Sequence, residues 1–343
     1  MNESSQAVRQ QRLTTGESRR ASAQRLLADD RAVLGVLAAL VVLGIALSIA
    51  SPSFMTMGNI LNVVRQSVWV GVMAIGMVYV LGTGGIDLSV GAVLSFSGVL
   101  VAALIQGGMN IYLALVATLL AGIVVGALNG GLITRLHLPP FIATLGMMSV
   151  LQGLALVYTQ GIPIYGLRYR EFQVLAQGFV GFLPAPVIML VVIAVIGYFV
   201  LNKTPYGRYV LGVGSNETAA RLAGIPVDRI KVSVYAIAGL LSAVAGILLT
   251  SRGEAAVPNA GEGYELDVIA AAVIGGTAMN GGRGSISGAV VGAVFMTMIR
   301  NGLNLLGVST LWHQVVIGVF IVGAVALGSR SLSGKRARRT SRA

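Results

Sequence analysis

The groups in this chain that could bind or steer a solute are few, and they gather in three polar interruptions of an apolar sequence. The first reads Gly82-Thr83-Gly84-Gly85-Ile86-Asp87-Leu88-Ser89-Val90-Gly91 and sets a lone carboxylate among glycines. Asp87 can cap a following helix by accepting from its free backbone N–H groups. Alternatively, the glycines break a helix at membrane depth and leave freed backbone lining a polar cavity, where such irregularity is tolerated. Spacing by itself favours the cap. The second interruption, Gly275-Gly276-Thr277-Ala278-Met279-Asn280-Gly281-Gly282-Arg283-Gly284-Ser285, ends an apolar stretch (265–279) that opens with Glu265 and Asp267. A short, glycine-interrupted hydrophobic segment points to a discontinuous helix.

The third interruption is the longest: Thr204-Pro205-Tyr206-Gly207-Arg208-Tyr209, then Gly214 through Pro226. Ser215 or Asn216 can cap a short helix containing Glu217, Ala219, Ala220 and Arg221. Gly224 can end it in a left-handed conformation, Pro226 prevents its continuation, and Asp228 offers a cap for the next apolar run. A short capped helix between two spans suits the docking of another protein. It equally suits a solvated connector, and spacing does not separate the two.

Several chemistries are missing. No Gly-x-x-x-x-Gly-Lys-Ser/Thr phosphate loop occurs, so ATP hydrolysis in this chain is not expected. The two histidines, His137 in a basic turn and His313 at an interface, form neither a metal set nor a Ser/His/Asp constellation. Cysteine is absent, which removes disulfides and thiolate chemistry. Few carboxylates lie mid-span, which counts against a proton- or sodium-driven carrier without removing it. Energy for transport would then come from a partner docked on the third interruption.

The elements that must position these groups are membrane spans. Hydrophobic residues make up 55% of the chain and charged residues 10%, against roughly 25% charged in a soluble domain. The apolar runs are continuous rather than alternating, so the expected class is an all-α polytopic membrane protein, not a barrel. The runs lie near 33–50, 60–82, 88–106, 111–134, 141–159, 187–202, 231–251, 265–279, 286–302 and 311–328, which makes about ten spans. The expected organisation is a basic tail (1–32), a transmembrane domain (33–328) containing the polar loop 203–230, and a basic tail (329–343). Gly122, Gly126 and Gly130, and likewise Gly288 and Gly292, recur every four residues, the spacing that lets helices approach closely. Asn129 either bonds across helices or faces the path. Arg65 either snorkels at the outer interface or faces the path. The segment 160–186 is expected to carry a short helix on the outer face.

The formal charge of +12 is no nucleic-acid signal. Ten spans put both tails, the Arg135 turn, the 203–230 loop and Arg283 on one side, and all are basic, so that side reads as cytoplasmic. The glycine-rich interruptions at 82–91 and 275–285 fall at comparable places in the two halves. Five spans per half would invert the second copy, a transporter pattern.

Taken together, Gly84–Gly91, Asn129-Gly130, Pro139–Gly146, Tyr206-Gly207-Arg208, Gly214-Ser215-Asn216 with Ala219-Ala220-Arg221 and Gly224-Ile225, and Gly275-Gly276-Thr277 with Gly281–Ser285 resemble the membrane permease subunits of bacterial ABC importers for monosaccharides. The likeness covers about 35–328. A more distant class serves branched-chain amino acids, but Gly-Gly-Ile-Asp-Leu-Ser-Val-Gly is closer to the sugar group. The resemblance implies an inner-membrane pore of two such chains, identical or sister permeases. It implies a cytoplasmic ATPase holding ATP and Mg, a periplasmic sugar-binding protein, and no cofactor in this chain. It implies that Tyr206, Gly207, Arg208, Ser215, Asn216, Glu217, Ala219, Ala220, Arg221 and Gly224 couple to the ATPase. It also favours Gly84, Gly85, Asp87, Ser89, Asn129, Thr144, Gly275, Gly276 and Thr277 as path residues. Neighbouring solutes (nucleosides, inositol, signalling sugars) share the same motifs.

Overall fold

The computed structural model describes residues 33–309 and 312–319. The two basic tails and most of the tenth expected span lie outside the described residues. Nearly all the rest is helix: α1 (Val33–Ala50), α2 (Met57–Gly82), α3 (Val90–Gln106), α4 (Ile111–Arg135), α5 (Pro140–Thr159), α6 (Arg170–Gln177), α7 (Ala185–Lys203), α8 (Pro205–Ser215), α9 (Glu217–Leu222), α10 (Val227–Gly253), α11 (Tyr264–Ile274), α12 (Ile286–Leu305) and α13 (312–319). Four two-residue strands complete it: β1 (Ile164–Tyr165), β2 (Phe179–Val180), β3 (Leu183–Pro184) and β4 (Ala255–Ala256). β1 pairs antiparallel with β4 and β2 with β3.

Among the described residues, seven helices are long and apolar enough to cross a membrane: α1, α2, α4, α5, α7, α10 and α12. The third and eighth expected spans are shorter than their apolar runs. α3 begins at Val90 and α11 stops at Ile274, because the glycines on either side leave the helical conformation (Gly84 and Gly276 have φ of 80° and 100°). The fold is therefore that of a multi-pass helical membrane protein with two interrupted helices.

α2 is its axis. From Ser67 to Gly82 every residue is buried, so this helix is apolar on all sides, as a helix wrapped by neighbours must be. α10 packs against α4, α2 and α3, and α12 against α2 and α11. Glycines set the α4–α10 distance. Gly122, Gly126 and Gly130 lie against Gly239, Tyr235–Ala236 and Val232, with no room for a Cβ. Gly288 and Gly292 lie in the same way on Gly275, which follows α11, and on Ala271 within it.

The bundle has two distinct ends. One carries α8 and α9, the C-terminus of α2, the tip of the second glycine-rich break, and His137 close to Asp228. The basic segments at Arg135, 203–230 and Arg283 thus share that end. The opposite end carries α6 and the paired strands, held by Glu254. Its carboxylate accepts from Arg168 (3.3 Å), Gln173 (2.8 Å) and Gln177 (3.3 Å). The short helix expected in 160–186 is α6.

Candidate functional site

The loop between α7 and α10 folds into two helices, α8 and α9. Thr204 caps α8 by accepting from the Gly207 amide (3.4 Å). Gly207 lies so close to the Leu201 backbone that a side chain there would force α8 off α7. Tyr206 shares a 2.7 Å hydrogen bond with Ser233 and sets its ring 6.5 Å from that of Tyr79, which ties α8 to α10 and α2. Asn216 caps α9, accepting from the Ala219 amide (2.9 Å), while Ser215 closes α8 and donates to the Leu211 carbonyl. Gly224 ends α9 at φ 78°, and the Ile225 amide donates back to the Ala220 carbonyl, a helix-ending motif that a left-handed residue permits. Asp228 is not the cap expected for α10. That helix begins at Val227, and Asp228 sits in its first turn, accepting from Arg221 (2.6 Å).

The outward face of α9 differs from expectation in one respect. Ala220 points inward and is 5% exposed, so it seats the helix on the bundle. Ala219, Arg221 and Leu222 face out, and Leu222 is 85% exposed. Glu217 accepts from Arg221 (3.1 Å) and from Lys231 of α10 (2.7 Å). The Lys231 hydrogen bond is the chief cause holding the Glu217 carboxyl below its usual range, with Arg221 adding to it and partial burial opposing. A carboxyl lowered by folding stabilises the fold above its unfolded value of about 4.3, and loses that contribution as pH falls through its folded value. Amide exchange across 217–223, corrected for intrinsic rate, is expected to stay flat down to about pH 5 and to accelerate below about pH 4. Lys231→Met should lower protection at neutral pH and flatten the acid dependence. Identical protection in the two proteins would refute the tether.

The C-terminal end of α8 reaches both glycine-rich breaks. The Gly282 amide donates to the Gly82 carbonyl (3.0 Å), which joins the two breaks directly. Gly214 lies on the same spot. A Cβ on it would collide with the Gly82 carbonyl and stand 2.7 Å from the Gly282 nitrogen and 3.0 Å from the Gly281 Cα. Gly84 approaches Asn280 in turn. Three segments far apart in sequence therefore meet backbone to backbone, with no side chain between them.

Above this joint, residues 83–89 run without helical structure inside the protein. One turn into α3 the Leu94 carbonyl lies against Gly246, well along α10 from Val227, with no room for a Cβ. The expected cap does not form. The amide and hydroxyl of Ser89 both donate to Asp87 Oδ1 (2.8 and 2.6 Å), and Ser89 accepts from Asn129 Nδ2 of α4 (2.8 Å). The Asp87 carboxylate thus holds the turn before α3 rather than the first amides of the helix. Side chains satisfy the freed backbone. The Leu88 amide donates to Thr144 Oγ1 of α5 (3.2 Å), and Tyr235 of α10 donates to the Ile86 carbonyl (3.2 Å). Asp87, Ser89, Asn129 and Thr144, four of the residues that the resemblance favours for the path, form one polar cluster, each at most 1% exposed. Asn129 Oδ1 has no hydrogen-bond partner there. Tyr235 is a member that the sequence did not signal, lying within an unbroken apolar run. In the second break, Thr277 Oγ1 accepts from the Ser285 amide (3.2 Å), and Gly275 packs on Gly288.

Interrupted helices around a polar cluster are a pattern of membrane transport proteins. Residues 59–325 match the family described as "Branched-chain amino acid transport system / permease component". Ribose import permease protein RbsC of Bacillus subtilis (strain 168) is 49% identical over 295 residues, 86% of this chain and 92% of that one. RbsC of Escherichia coli (strain K12) is 40% identical over 297 residues, again 86% and 92%. The L-arabinose ABC transporter permease protein AraH of Azospirillum brasilense is 36% identical over 303 residues, 88% of this chain and 89% of that one. No solved structure matches the chain. The chain belongs to this permease family, and its role is non-catalytic transport. The family is described by branched-chain amino acids, whereas these three relatives are named for sugars.

Proposed function

We propose that this chain is the transmembrane permease of an ATP-driven importer for a monosaccharide. The observation that carries the reading is the meeting of α8 with both glycine-rich breaks at Gly214. It gives a surface helix a direct mechanical connection to the polar cluster around Asp87. A cytoplasmic ATPase holds ATP and Mg and docks on α9 through Ala219, Arg221 and Leu222. Closure of the ATPase moves α8, α8 moves the breaks, and the breaks alter which end of the path is open. A partner shifts such an equilibrium only by its different affinity for the two states. A periplasmic binding protein supplies most of the recognition, so the path holds sugar weakly. The pore is built from two permease chains in the bacterial inner membrane, with both termini cytoplasmic.

Affinity purification in mild detergent is expected to recover a nucleotide-binding subunit, and the complex in proteoliposomes to take up a labelled aldose only with ATP. Leu222→Arg on the outward face of α9 should release that subunit while leaving the permease in the membrane. Asp87, a buried carboxylate with no ion pair among the described residues, favours a second reading as an ion-coupled carrier. Uptake by the chain alone that collapses with the ion gradient would select that reading.

A further inference from the structure

The end of the bundle away from α9 holds a second constellation, drawn from four helices. Arg252 of α10 donates to Asn62 Oδ1 of α2 (2.6 Å) and lies 5.7 Å from the centre of the Trp69 ring. Trp69 Nε1 donates to the Tyr264 hydroxyl of α11 (3.3 Å). Arg300 of α12 covers the Tyr264 ring at 5.1 Å and donates through Nε to Asp267. Arg65, one turn from Asn62 and Trp69, lies 4.6 Å from the centre of the Phe179 ring. Asn62, Arg65 and Trp69 share one face of α2 by their spacing. Trp69 and Gly82 are thirteen helical steps apart, about 20 Å at 1.5 Å each, so the constellation is remote from the joint.

We propose that this constellation is a hydroxyl-reading site at which the permease holds a neutral sugar. The proposal deepens the importer reading and rests on it. Two buried atoms at the site have no hydrogen-bond partner: Arg65 Nε, a donor, and Asp267 Oδ1, an acceptor. Buried polar groups are rarely left unpaired, and Asp267 is fully buried. An orphan acceptor on a carboxylate requires a donor from the ligand, which a purely anionic ligand lacks. An orphan donor requires an acceptor. A sugar hydroxyl is both at once. Arg300 is paired with Asp267, and it is the free oxygen of that carboxylate that selects a ligand bringing a donor. Gln66 adds a further amide, donating to Asn62 Oδ1 (3.2 Å), and the arginines lie over Phe179, Trp69 and Tyr264. Arginine holds several donors in a fixed plane, which suits adjacent hydroxyls on a ring.

The chain contains two tryptophans, so Trp312→Phe leaves Trp69 as a reporter inside the site. The full-length Trp312→Phe protein in lipid nanodiscs is titrated with D-ribose and D-allose, and in parallel with gluconate and L-leucine. A saturable change in Trp69 emission is expected with a neutral sugar and not with the other two. Arg65→Met should weaken it about 10-fold, the worth of one charge-assisted hydrogen bond, and Arg65→Lys, which keeps the charge but not Nε, should not restore it. Three results would overturn the site. One is a Trp69 signal unmoved by the sugar that the assembled Trp312→Phe complex imports. Another is a stronger response to leucine or gluconate. The third is an Arg65→Met protein that has lost only affinity for the binding protein. Uptake that needs no ATP would sink the importer reading instead, while leaving the Trp69 titration to be judged on its own.

Discussion

Gly214→Val is expected to cut ATP-driven uptake by about two orders of magnitude while the chain still inserts and purifies. The magnitude follows from a displacement on the order of 1 Å at a geometry that function requires. The valine Cβ has nowhere to go, since the atoms around Gly214 are backbone from both breaks: the Gly82 carbonyl, the Gly282 nitrogen and the Gly281 Cα. A flexible side chain could swing aside, but these atoms are held by the Gly282–Gly82 hydrogen bond. The C-terminal end of α8 would therefore lift from the breaks, although Tyr206 keeps its bond to Ser233. Partner binding through α9 should survive, and so should basal ATP hydrolysis, but its stimulation by sugar should not. Gly214→Ala should fall between. Uptake at the wild-type rate by a monodisperse valine variant would remove the joint from the mechanism.

Gly126→Leu should damage both the fold and the path. A Cβ at Gly126 would overlap the Tyr235 carbonyl and lie 2.9 Å from the Ala236 Cα, so α4 and α10 must separate. Overpacking of a dense interface costs roughly 1–3 kcal/mol, and a clash with backbone belongs at the upper end. Separation also carries Tyr235 away from the Ile86 carbonyl, exposing the break it supports. The expected outcome is a lower melting temperature in detergent, together with reduced uptake per molecule that does reach the membrane. Gly131, one residue past the stripe and facing open space, is the control, and Gly131→Leu should melt as the wild type does. Equal melting of the Gly126 and Gly131 variants would show that the stripe does not set the helix distance.

The contrast between these two glycines shows where sequence reading works. The four-residue spacing of Gly122, Gly126 and Gly130 marks one face of a helix, because that period follows from helical geometry alone. Nothing in it names α10 as the partner. The cap at Asn216 and the left-handed stop at Gly224 were legible for the same reason, each depending on neighbours within a few residues. Asp87 shows the limit of local rules. Its position before an apolar run suggests a cap, but Ser89 lies close enough to take both available hydrogen bonds at Oδ1, and Asn129 fixes Ser89 from another helix. Ala220 shows the same limit, since a six-residue helix is too short for its periodicity to tell the inward face from the outward one.

By itself, the sequence determined that this protein is a multi-pass helical membrane protein, where most spans begin and end, and where two of them break. Those properties follow from apolar run length, glycine conformation and capping, all of which act over a few residues. Only the tertiary structure decided that the breaks meet each other and α8 at Gly82, Gly214 and Gly282. It alone brought Asp87, Ser89, Asn129, Thr144 and Tyr235 into one cluster, and paired Asp267 with Arg300. Each of these depends on which helix faces which in the packed bundle, and residues on separate helices carry no mark of that in their spacing.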